Sequence, residues 1–157
     1  MNTVQLLENS HVRVIEALDD LPEAAWDKPG ACGEWSVKDV IAHLASYERV
    51  IVDMLKTFSG DEPTPYIQRF LDDNQEFNNS QVESRKYDTA QQVLNEYNEA
   101  QVLSASLLTQ IPSEKVQQVG TMPWYNSECC LADFIHVAYE HTGEHCDQII
   151  RFRQQQA

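Results

Sequence analysis

The chain has 157 residues, 42% of them hydrophobic and 23% charged, which suits one globular domain over 1–157 and does not suit a disordered chain. A formal charge of −14, with no cluster of Lys or Arg to offset it, argues against nucleic acid or an anionic membrane as the main partner. No apolar run is long enough to span a bilayer, and the start Met1-Asn2-Thr3-Val4-Gln5 lacks the charged-then-apolar pattern of a signal peptide. A cytoplasmic protein is therefore expected, with Cys32, Cys129, Cys130 and Cys146 as free thiols.

Helical periodicity runs through almost the whole chain. Leu7, His11, Val14, Leu18 and Leu21 recur at three and four residues, which predicts a first helix from about Thr3 to about Asp20. Pro22 and the stretch Asp27-Lys28-Pro29-Gly30-Ala31-Cys32-Gly33 read as a loop. Ser36 then caps a second helix, with Asp39 in the third position of a capping box. Val37, Val40, Leu44, Tyr47, Ile51, Met54 and Phe58 form its buried stripe, and His43 lies at the stripe's edge.

The segment from Ser59 to Pro65 ends that helix, and Ile67, Phe70 and Leu71 suggest one short helix between Tyr66 and about Glu83. Asp88 or Thr89 caps a long helix with a stripe of Val93, Tyr97, Ala100, Leu107 and Ile111, which Pro112 stops. A loop follows from about Pro112 to Asn126. The last helix is expected from near Ser127 to about Gln154, with Leu131, Phe134, Ile135, Ala138, His145, Ile149 and Phe152 inward. Cys129 and Cys130 fit there as small core-lining hydrophobes. With no convincing strand, the fold class is all-α, an antiparallel four-helix bundle with a long irregular connection after its second helix.

The histidines carry the chemistry. His141 and His145 are one helical turn apart, about 40° around the axis, so they can share one metal ion. The alternative is a pair of half-buried rings bonded to ordinary polar neighbours. His43, on another helix beside another buried stripe, can complete a three-imidazole site, leaving a position open for water or substrate. His136 is about 140° from His141 around the helix and falls on another face. His11, on an apolar stripe, is a reserve ligand. His141-Thr142-Gly143-Glu144-His145 also matches His-x-x-Glu-His, in which the glutamate is a general base. Only twelve residues follow His145, however, too few for the downstream ligand of those enzymes. Asp39 and Glu144 are candidates to orient a ligand or handle protons, though a cap and a surface charge are their plainer roles.

Trp35-Ser36-x3-Val40-Ile41-Ala42-His43-Leu44-Ala45, Pro123-Trp124 and His141-x3-His145-x2-Gln148, in that order and spacing, resemble the DinB-like (YfiT-like) superfamily of metal-dependent bacterial bundles. The resemblance spans nearly the whole chain. It implies an up-down-down-up bundle, commonly a homodimer, with one divalent metal (nickel, zinc or iron) on His43, His141 and His145. It also implies a small-molecule substrate and either thiol transfer, with a low-molecular-weight thiol as cofactor, or detoxifying hydrolysis. No catalytic residue follows from it. The alternative is a non-catalytic ligand-binding or interaction bundle of the same fold.

Overall fold

The structure, a computed structural model, describes residues 1–156; Ala157, the end of the expected domain, lies outside them. Eight α-helices follow in order: α1 (Thr3–Leu18), α2 (Glu23–Trp26), α3 (Val37–Lys56), α4 (Pro65–Asp72), α5 (Asn74–Ser84), α6 (Ala90–Thr109), α7 (Ser113–Gln117) and α8 (Leu131–Gln156). No strand occurs among the described residues, and none of their helices is long and apolar enough to cross a membrane.

Local chemistry sets the ends of the long helices. Asn2 with Gln5, Ser36 with Asp39 and Thr89 with Gln92 each form a reciprocal capping box that satisfies two otherwise unpaired N–H groups. α1 stops at Leu18, two residues earlier than expected, and Asp20 turns the chain with a φ of 56°.

Other boundaries differ from the sequence reading. The segment read as one helix from Tyr66 to Glu83 is two helices. Asp73 breaks it with an extended backbone, and its side chain caps α5 by accepting from Glu76 N. The two loops each hold a short helix, α2 after Pro22 and α7 after Pro112. Both prolines lack the N–H that a preceding helix would use and leave the next residues free to start a new turn. The last helix begins at Leu131 instead of near Ser127, because the Asp133 carboxylate accepts from Cys130 N and fixes the start there. Cys130 is buried as expected; Cys129 is only half-buried.

α1, α3, α6 and α8 make the bundle, α3 lying chiefly on α6 and α1 chiefly on α8. Residue contacts give the directions. Arg13 meets Gly143, and Ala17 meets Arg153, so α1 and α8 run parallel. Lys38 reaches Asp88, and Glu48 meets Ser104, so α3 and α6 run parallel. Leu7 meets Gln101, and His11 meets Asn98, so α1 and α6 are antiparallel. The order is up-down-down-up. Parallel neighbours need a connection that travels back along the bundle, and α4 and α5 provide it between α3 and α6.

The core divides into two apolar clusters. One holds Leu7, Ile51, Met54, Leu108, Phe134 and Ile135, the other Val14, Val40, Ile41, Leu44, Val93 and Ile149. Truncating one of these to Ala would cost about 2–5 kcal/mol. Between the clusters, buried Ser10, His43, Glu48, Gln101, Ser104 and His145 bring polar groups in from all four helices. The functional candidates lie in this polar zone.

Candidate metal centre

His43 sits on the second turn of α3, where the inward stripe started by the Ser36 cap carries it under the cover of α8. Its residue is 2% exposed. His141 and His145 project one turn apart from α8, His145 buried and His141 half-buried. The three rings converge. His141 Nε2 lies 3.1 Å from His43 Nε2 and 3.1 Å from His145 Nε2. Among the described residues this is the one set of three or more His, Cys, Asp or Glu whose ligand atoms lie close enough to hold a shared ion, all within 4.8 Å.

The donor set fits a transition metal. Imidazole nitrogens about 2.0–2.1 Å from one ion, with bond angles between about 90° and 109°, stand about 2.8–3.4 Å apart. Both measured separations fall in that interval. Without an ion the geometry is awkward. A ring nitrogen carries either one proton or one lone pair, so His141 Nε2 cannot serve both contacts. A cation facing three lone pairs removes the conflict.

Protonation favours the same reading. Burial, and then the neighbouring His141 and His145, lower the His43 pKa to about 3. Burial and then His145 lower His141 to about 4. Burial also lowers His145, against the opposing pull of its Gln148 bond and of Glu144. All three rings are therefore neutral near pH 7, the form that ligates metal.

The surroundings orient the rings unequally. His145 Nδ1 donates to Gln148 Oε1 at 2.8 Å, which leaves its Nε2 lone pair free. The Nδ1 atoms of His43 and His141 are buried without a hydrogen-bond partner. Aromatic packing holds those two rings instead. Trp35 lies 5.3 Å from the His43 ring, and Tyr47 lies 4.7 Å from the His141 ring. Tyr47 in turn stacks parallel to Phe134, with centroids 6.1 Å apart. Burial holds the Tyr47 hydroxyl protonated by pushing its pKa well up.

The remaining candidates lie elsewhere. His11 Nε2 bonds Asn98 Oδ1 at 2.8 Å and its ring meets Tyr97 edge-on, so the reserve ligand is committed to α6. His136 is exposed and pairs with Glu140 at 3.2 Å. Asp39 Oδ2 accepts from Ser36 N at 3.0 Å as a cap. Glu144 is exposed. The four cysteines are unpaired and outside the cluster. Sequence reasoning placed Gln148 in the motif of the resemblance and Tyr47 in a buried stripe, but gave neither a task at the site. Their signals were present: Gln148 is three residues after His145, and Tyr47 is four after His43, on the same face.

Comparison with known proteins agrees with this arrangement. A family model described as the DinB superfamily matches residues 6–149. A crystal structure of a protein from Streptococcus pneumoniae is similar in fold, with a TM-score of 0.79 at 14% identity, over 97% of this chain and 88% of the other. No curated protein matches the chain.

Proposed function

The chain belongs to the DinB superfamily, and on that premise we propose that it is a metal-dependent enzyme of thiol-transfer or detoxifying-hydrolase type acting on a small molecule. The observation that carries this is the convergence of three neutral imidazole nitrogens from two helices, those of His43 and His145 each 3.1 Å from that of His141, with no carboxylate among them. A divalent ion held by His43, His141 and His145 supplies one chemistry in both versions: it lowers the pKa of a bound thiol or water so that a nucleophile exists at neutral pH. The chain's own residues hold and shield that site. His145 is fixed in its ligating tautomer by Gln148. Trp35 packs on the His43 ring and Tyr47 on the His141 ring, with Phe134 stacked on Tyr47, an apolar aromatic setting that suits an uncharged electrophile better than a highly charged one.

The proposal includes a cytoplasmic homodimer, for which exposed Val12 and Ile15 on α1 and Val102 on α6 offer apolar surface. Light scattering that reports only an 18.0 kDa species across concentration would remove that part. Thiol dependence separates the two reactions. Metal-loaded protein is incubated with an electrophilic substrate, with and without a low-molecular-weight thiol. Turnover only with thiol supports transfer, turnover without it supports hydrolysis, and turnover that survives chelation sinks the metal-dependent enzyme in both forms.

A further inference from the structure

The docking of α8 on α1 contains a glycine that its backbone does not require. Gly143 is buried in the interior of α8 and is not among the glycines with positive φ. A glycine there costs about 1 kcal/mol relative to alanine. Space explains it. A Cβ on Gly143 would run into Arg13 Nη1 and lie 3.1 Å from Arg13 Cζ and 3.3 Å from Nη2. The guanidinium lies across the bare backbone, and its Nη2 donates to Gly143 O and Asp147 Oδ1, each at 3.4 Å.

The place of this contact matters. Gly143 is two residues from His141 and two from His145, about 160° around the helix from each, so Arg13 seats against the back of the turn that carries both ligands. α8 lies along α1 and touches α3 at few positions. The position of His141 and His145 relative to His43 is therefore set largely through α1, which packs on α6, and through α6, which packs on α3. The exposed Arg13–Asp147 ion pair contributes little alone; the fit of a planar group into the missing side chain gives the contact its register.

We infer that Arg13, seated in the gap left by Gly143, is a positioning residue that holds His141 and His145 in line with His43. This rests on the three-histidine metal site. Its function is to fix where α8 presents its two nitrogens, with no direct contact to the ion.

Cobalt(II) titration of the metal-free chain, followed by visible absorption, tests it alongside thermal unfolding. Arg13→Ala weakens cobalt binding by about tenfold, the scale of an outer-shell change. Gly143→Ala does the same by displacing the guanidinium, while the metal-free thermal midpoint holds or rises, a split that a merely stabilising contact would not give. The double variant binds no more weakly than the weaker single, because both changes remove one contact. Unchanged cobalt affinity in Arg13→Ala, or losses that multiply in the double variant, overturn the inference. If the unmodified chain takes up no cobalt, the metal site itself is wrong, and the metal-free ring resonances decide. Shifts of His141 and His145 in Arg13→Ala, with His136 unmoved, support positioning; unmoved His141 and His145 resonances reject it.

Discussion

His43 and Glu48 stand five residues apart on α3, both buried and both polar, and they meet opposite surroundings. Glu48 enters a hydrogen-bonded chain that links three helices. Its Oε1 accepts from the Ser104 hydroxyl at 3.0 Å, and Gln101 on the same face of α6 donates to Leu7 O at 2.9 Å. His43 enters a cluster whose own hydrogen bonds do not satisfy it: the Nε2 atoms of His43 and His145 both approach that of His141, which can pair with one of them. The first pattern joins α3, α6 and α1. The second leaves ligating capacity unspent in the interior, which marks a site.

Charge sharpens the contrast. Among the described residues no cation pairs with Glu48, and burial, opposed by the Ser104 bond, pushes its pKa up to about 7. The unfolded chain ionises this carboxyl at its ordinary value, so above that value unfolding releases a proton that the fold retains. Glu48 therefore favours the fold at low pH and penalises it as pH rises toward 7. Glu48→Gln should gain about 2–3 kcal/mol relative to the parent between pH 5 and pH 8 in urea unfolding. A pH-independent margin would mean that Glu48 is ionised in the fold and has a partner.

His43 has the reverse sign. Its folded pKa of about 3 lies below the ordinary 6.5, so below 6.5 the unfolded chain gains a proton that the folded one refuses. Its contribution is intact above 6.5 and fades as pH falls toward 3. In metal-free protein, His43→Leu should gain about 2 kcal/mol on the parent between pH 7.5 and pH 5. A constant margin would show that the ring is not held neutral.

Smaller changes probe the orientation of the site. Gln148→Ala removes the acceptor for His145 Nδ1 and should weaken metal affinity by about tenfold, read by competition with a chelating dye. Unchanged affinity would show that the turn of α8 alone sets the ring. His11→Ala should leave metal affinity unchanged, since its ring is tied to Asn98 and lies outside the cluster. Any large loss there would bring His11 back as a ligand.

The sequence made some of this legible and hid the rest for physical reasons. Caps at Ser36 and Thr89 are local, so the starts of α3 and α6 were readable. The His141–His145 pair needs only one helix and was readable too. His43 joins it through the crossing of α3 and α8, which no spacing encodes; a second buried stripe and the family resemblance pointed to it. Glu48 stayed hidden because a glutamate in a charged chain reads as solvated, and its burial depends on α6. The break at Asp73 was hidden as well, since Asp72-Asp73-Asn74 is polar in a helix or a turn alike. At α8 the start was expected near Ser127, four residues early, because the bond from Cys130 N to Asp133 that sets it leaves no mark in the periodicity.

The whole site depends on His43, His141 and His145 holding one divalent ion. Elemental analysis of protein purified without a histidine tag tests it most directly, run on the parent and on His43→Ala. About one transition-metal ion per parent chain is expected and none on the variant, with both folded by circular dichroism. Equal metal on the two proteins, or none on either after reconstitution with nickel, zinc and iron, would contradict it.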